Sequence, residues 1–136
     1  MSEQVVVLDA CAVIALQRGE EGADQVKARL ADPQVEVIVH AINLCEVYYD
    51  AVRRDSSVQL GDLWNDLQSL GITVEMQFPR DVVERAGKLK AHWRRISLAD
   101  CVALALAEWR GGRLLTTDHH ELDPLLAAGH AIVFIR

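Results

Sequence analysis

The chain has 136 residues, 51% hydrophobic and 25% charged, with a formal net charge of −6. This is the make-up of one globular domain, large enough to bury about 68% of the surface its unfolded form exposes, and its bulk acidity argues against holding nucleic acid by long-range attraction alone. No apolar run approaches the ~18 residues of a membrane span, the opening Met-Ser-Glu-Gln does not read as a secretory signal, and Cys11, Cys45 and Cys101 lack the C-x-x-C spacing of a zinc knuckle or the even number of a disulfide framework.

In chain order, Val5–Leu8 is a short β-branched buried strand, Ala10–Gln17 a short helix and Glu20–Ala31 an amphipathic helix ending before Pro33. Val35–Val39 reads as a second strand, followed by a helix over about Ile42–Arg54 and another over Val58–Leu70 that stops at Gly71. Ile72–Glu75 is a third strand. Pro79 opens a helix in which Val82, Ala86, Leu89, Trp93 and Ile96 form one apolar stripe. Ser97 caps the next helix, which ends at Gly111-Gly112; Arg113–Thr116 is a fourth strand and Ala131–Ile135 a fifth. Repeated β-then-α units joined by short loops predict an α/β fold: a single domain over residues 1–136, with a four- to five-stranded, mainly parallel sheet flanked by helices on both faces.

Four carboxylates occupy strand ends and helix starts in this layout: Asp9, Glu46, Asp100 and Asp118. Asp9 follows the first strand and Asp118 the fourth, at the rim where parallel sheets bind ligands. Glu46 and Asp100 stand three residues after Asn43 and Ser97, in first turns of helices starting at that rim. Three of the acids also have a plain structural role: Asn43-x-x-Glu46 is the pattern of a capping box, Ser97-x-x-Asp100 a weaker version, and Asp118 after two threonines can open a turn. Cap and ligand are compatible, because a carboxylate can cap through one oxygen and face the crevice with the other. If the four converge, they repel unless a cation intervenes, and an all-oxygen donor set favours Mg²⁺ or Mn²⁺ over zinc.

Four segments carry a resemblance. Val7-Leu-Asp9-Ala-Cys-Ala, His40-Ala-Ile-Asn-Leu-Cys-Glu46-Val, Ile96-Ser-Leu-Ala-Asp100-Cys-Val-Ala and Leu114-Leu-Thr116-Thr-Asp118 resemble, in order and across essentially the whole chain, the four acidic motifs of PIN-domain ribonucleases, specifically short toxins of the VapC type. The resemblance implies a metal-dependent endoribonuclease in which Asp9, Glu46, Asp100 and Asp118 bind one or two Mg²⁺ or Mn²⁺ ions, with Asp9 and Asp100 foremost as direct ligands. In that scheme Glu46 binds metal or takes a proton from water, Asp118 acts through water or holds a second ion, and Asn43, Ser97 and Thr116 orient these groups. It further implies 5′-phosphate and 3′-hydroxyl products, an RNA substrate, a homodimer, a cognate antitoxin protein and a cytoplasmic setting. Two positions depart from the family pattern: Cys11, where Ser or Asn is common, and His40, where a small hydroxyl residue is common.

Other signals have plain alternatives. Each cysteine reads as a small buried hydrophobe near a helix start, or as a redox-sensitive thiol beside the site. Lys88, Lys90, His92, Arg94 and Arg95 either guide an RNA backbone, with Arg53 and Arg54 as a second patch, or form a solvated helix face. His119-His120 read as a polar turn, or as groups near metal or phosphate. Trp64, Trp93 and Trp109 read as core or interface rather than base-stacking platforms. Tyr48, Tyr49 and the apolar side of the Val58–Leu70 helix are the expected dimer contact, by the same resemblance. The rival function is a non-cleaving PIN-like module that binds RNA or protein, which would lose acids that are all present here. A haloacid-type phosphatase wants an Asp at the place of Cys11, and a receiver domain wants one directly after Ile72–Glu75; neither is there.

Overall fold

The computed structural model describes residues 3–54 and 62–136. Its strands are β1 (Val5–Leu8), β2 (Glu36–His40), β3 (Ile72–Glu75), β4 (Arg113–Thr116) and β5 (Ile132–Phe134). Its helices are α1 (Ala10–Arg18), α2 (Ala23–Ala31), α3 (Ala41–Arg54), α4 (Leu63–Ser69), α5 (Arg80–His92), α6 (Leu98–Trp109) and α7 (His119–Ala127). The five strands form one sheet in the order β3-β2-β1-β4-β5, and every pairing is parallel.

Strand alternation divides the core in two. Val7, Ile38, Leu114 and Ile132 point to one face, where α5, α6 and α7 cover them. Val6, Leu8, Val37, Val39 and Leu115 point to the other, under α1, α2, α3 and α4. With both faces covered, β1 and the middles of β2 and β4 carry no polar face and read as unbroken apolar runs, whereas edge strand β3 exposes Thr73. Helix α6 crosses the first face so deeply that every residue from Ala99 to Ala107 is buried. Its apolar run is the length of a core helix, and Leu104 and Leu106 each contribute about 1.5–3 kcal/mol by leaving water.

Several boundaries differ from expectation for local reasons. Helix α2 begins at Ala23 rather than Glu20 because Gly22 takes φ +102°, and a Cβ there would meet the Ile135 carbonyl oxygen at 2.9 Å. Helix α5 stops at His92, so Trp93 and Ile96 join the same apolar face from the turn that follows. Of the helix expected over Val58–Leu70, residues 58–61 lie outside the described residues and the remainder supplies α4. The apolar side of α4 is spent within the chain: Leu63 and Leu67 are buried in its own core. The sequence pattern predicts no helix between β4 and β5, where α7 lies. Pro124 inside α7 removes one ladder hydrogen bond and masked its periodicity.

Candidate active site

Chain order sends β2 and β3 to one side of β1 and β4 and β5 to the other, so the topology reverses between β1 and β4. The loop after β1 leads to α1 on one face, while the loop after β4 leads to α7 on the opposite face. Between these diverging loops a crevice opens at the carboxyl ends of the strands. Asp9 and Asp118 stand on its two lips.

Asp9 is fully buried and caps α1, its Oδ1 accepting the Ala12 N–H at 2.8 Å. Its Oδ2 is buried without a hydrogen-bond partner of good geometry. Burial is the main cause that pushes the Asp9 carboxyl up to about 7; the Thr116 hydroxyl and the Ala12 N–H pull it back only in part, and the charges of Asp118 and Glu46 push it further.

Asp100, also buried, lies in the first turn of α6, where its N–H donates to the Ser97 hydroxyl at 3.1 Å. Its carboxyl is held well above the ordinary range, first by burial and then by Asp9. Asp118 caps α7 by accepting the Glu121 N–H at 3.1 Å, and its own N–H donates to Thr116 Oγ1 at 3.0 Å. Glu46 approaches from α3, half-buried, its carboxyl raised by burial and then by the charge of Glu121.

Glu121 is the acid that sequence reasoning missed. Carboxylate oxygens of Asp100, Asp118 and Glu121 lie within 4.8 Å of one another, the tightest acidic group among the described residues. Asp9 and Glu46 stand outside that trio and are tied to it by mutual repulsion. The missed signal is Asp118-His-His-Glu121, a carboxylate capping pattern ahead of Leu122 and Leu125.

The supporting groups divide. Ser97 and Thr116 hold Asp100 and Asp118 through the bonds just given. Asn43 is not a helix cap: β2 runs into α3 without a loop, and the cap is His40, whose Nδ1 accepts the Ile42 N–H at 3.0 Å. The other ring nitrogen of His40, Nε2, donates to the Gln77 carbonyl at 2.8 Å, which fixes a neutral tautomer and gives this residue a structural task. Asn43 therefore sits inside the first turn of α3, fully buried, with neither amide atom bonded among the described residues.

His119 turns away from the acids. It donates to Asp123 at 2.8 Å and to the Arg136 carbonyl at 2.6 Å, stacks on Phe134, and has its pKa raised first by the Asp123 hydrogen bond. It belongs to the first turn of a helix, not to a polar turn. Cys101 is buried as expected, whereas Cys45 is exposed and Cys11 half-buried. Burial and the charges of Asp9, Asp100 and Asp118 push the Cys11 thiol up to about 12, which makes it a poor nucleophile rather than a redox sensor.

The donor set fits a hard divalent cation: it is all oxygen, it includes the unpartnered Asp9 Oδ2, and none of the five acids forms an ion pair among the described residues.

Residues 6–123 match the PIN domain family. The chain belongs to that family. Solved structures share the PIN fold over nearly its full length. One is a toxin–antitoxin complex from Klebsiella pneumoniae, with 20% identity, TM-score 0.69 and coverage of 96% of this chain and 98% of the other. VapBC2 from Rickettsia felis, bound to a promoter DNA fragment, has 12% identity, TM-score 0.70 and the same coverage. VapC20 of Mycobacterium tuberculosis, described as a Sarcin-Ricin loop cleaving toxin, has 18% identity and TM-score 0.64, covering 92% of this chain and 95% of that one. No curated protein is a recognisable match to the chain. Among the described residues, no helix of this PIN domain is long and apolar enough to cross a membrane.

Proposed function

We propose that this PIN domain is a divalent-cation-dependent endoribonuclease and the toxin of a toxin–antitoxin pair. The observation that carries the proposal is the convergence of Asp9, Glu46, Asp100, Asp118 and Glu121 at the strand ends without a basic partner. Support for the toxin role comes from the shared fold with a Sarcin-Ricin loop cleaving toxin and with toxin–antitoxin complexes.

Asp100, Asp118 and Glu121 would hold Mg²⁺ or Mn²⁺, with Asp9 offering its free oxygen. When bound, such a cation lowers the pKa of the attacking water and neutralises charge on the leaving oxygen. Glu46, half-buried and held above the usual carboxylate range, is the group placed to receive a proton from that water. Ser97 and Thr116 keep Asp100 and Asp118 in position through the backbone. Asn43, one helical turn before Glu46 on the same side of α3, has an amide free for phosphate or carboxylate.

The partners proposed are RNA as substrate, an antitoxin protein and a second copy of the chain, in the cytoplasm. For the dimer, α3 offers the exposed side chains Ile42, Tyr49 and Val52, whereas Tyr48 packs partly into the core.

The test is digestion of total RNA by the purified protein with Mg²⁺ or Mn²⁺, with end mapping and Asp100→Asn as control. Discrete, chelator-sensitive products that disappear in the variant are expected. Equal cleavage by variant and parent refutes the assignment.

A further inference from the structure

A groove of about 330 Å³ lies directly beside the acid cluster, between the turn that ends α5 and the first turns of α7. Glu121 belongs to both the groove and the cluster. Trp93 and Pro124 give the groove an apolar side, while Arg94, Arg95 and His120 line it with donors. Both arginines and His120 are exposed.

Most surface arginines of this acidic chain are neutralised by its own carboxylates. Arg18 and Arg54 pair with Asp50, Arg29 with Glu3, Arg80 with Glu84, Arg85 with Glu108 and Arg110 with Glu36. Arg94 and Arg95 form no such pair among the described residues, although Glu121 lines the same groove. The turn that carries them is nevertheless held in place. Lys90 Nζ donates to the Arg94 carbonyl at 2.8 Å and to the Ile96 carbonyl at 2.7 Å. Lys90 is thereby spent on shaping the backbone, and the two guanidinium groups stay free on a fixed support. A guanidinium presents a rigid fork of donors suited to phosphate oxygens.

We propose that Arg94 and Arg95, assisted by His120, form a phosphate-holding wall that seats a single-stranded RNA on one side of the acid cluster. This deepens the ribonuclease reading and rests on it for the identity of the substrate. The occupant is RNA rather than an acidic peptide because the groove opens onto the carboxylates. An anionic strand entering there needs its backbone charge met immediately before it reaches a site of like charge. The apolar side formed by Trp93 and Pro124 then faces ribose or base, which an acidic side chain would not use.

The test uses a labelled 12-nucleotide single-stranded RNA and fluorescence anisotropy, in Mg²⁺, with the full chain carrying Asp100→Asn so that the probe survives. Adding Arg94→Gln and Arg95→Gln removes two phosphate contacts. The log–log salt slope is then expected to become shallower by about 1.4, which corresponds to about 25-fold weaker binding at ~0.1 M salt. Arg113→Gln removes one positive charge from the opposite end of the sheet and is expected to change binding less than about twofold, against about fivefold for each groove arginine. In the active background, the double variant should raise KM with kcat nearly unchanged, the signature of lost uniform binding.

Full retention of RNA binding by the double variant, or an equal loss in Arg113→Gln, overturns the wall. So does arginine-dependent binding of poly-glutamate as tight as that of RNA, which would assign the groove to an acidic protein segment. Absence of cleavage by the parent protein sinks the ribonuclease reading separately, because the anisotropy comparison does not depend on turnover.

Discussion

Replacing Asp9 by Asn tests whether the site is built against its own stability. In the folded chain the Asp9 carboxyl titrates near 7, against 3.8 for the free side chain. Between those values the native state retains a proton that the unfolded chain has lost. Its contribution to stability is complete below about pH 4 and is lost as pH rises through about 7. Each pH unit in that window costs about 1.4 kcal/mol, so moving from about pH 5 to above 7 removes about 2–3 kcal/mol. Asn cannot ionise and lacks this loss. It keeps the cap, because its Oδ1 can accept the Ala12 N–H as Asp9 does at 2.8 Å. It also places an amide where Oδ2 now has no partner, a cost of about 1–3 kcal/mol at every pH.

Asp9→Asn should therefore be less stable than the parent, or equal to it, at about pH 5. Relative to the parent it should gain about 2–3 kcal/mol by pH 8, which is about 6–12 °C in Tm for a chain of this size. Urea or thermal unfolding in a chelator at the two pH values measures it. With excess Mg²⁺ at pH 8 the parent should recover stability by mass action and the variant should recover less. Parallel pH profiles for the two proteins in the chelator would refute the claim that Asp9 is a buried, charge-strained group.

Glu121→Gln should keep α7, since the cap bond runs from the Glu121 N–H to Asp118 and does not use the Glu121 side chain. Calorimetric Mn²⁺ titration is expected to show about 10–100-fold weaker binding, and unchanged affinity would remove Glu121 from the cluster's function. Gly112→Ala should destabilise by about 1–3 kcal/mol or more, because a Cβ there overlaps the Val5 carbonyl oxygen of the neighbouring strand. Urea midpoints measure this, and a variant as stable as the parent would mean that β1 and β4 can separate locally at no cost.

Most of the layout was legible because β1, β2 and β4 centre on short apolar runs, and Pro79, Ser97 and Gly71 mark helix ends. Ser97 behaves as its position predicts, and β1, β3 and β4 begin and end where the sequence places them. What was illegible depended on contacts between distant segments. Nothing local marks Ala41 as the start of α3, because the capping group is an imidazole whose other nitrogen is engaged 37 residues away at Gln77. Glu121 was hidden for a related reason. With Pro124 behind it and two histidines before it, the segment looked like a turn, and an acid in a turn needs no further explanation. Only the packing of Leu122 and Leu125 under the sheet makes it a helix and brings Glu121 back to Asp100.

Helix starts alone do not account for the cluster. Asp9 and Asp118 are caps, and Asp100 and Glu121 lie in first turns, so α1, α6 and α7 all direct their positive ends toward it. Such a terminus favours a carboxylate by about 0.3–1 kcal/mol, and up to about 2 when partly buried. The rise of Asp9 from 3.8 to about 7 corresponds to about 4 kcal/mol in the opposite direction. Burial wins by a clear margin, and the helices only reduce the cost. A fold that needed caps alone would have left these side chains at the surface, where capping is just as effective and desolvation is absent. Placing Asp9 and Asp100 inside leaves a deficit that the Thr116 hydroxyl offsets only in part and that no basic side chain among the described residues neutralises. A divalent cation bound there would supply what is missing, and under the proposed function its charge would also let the crevice accept a phosphodiester.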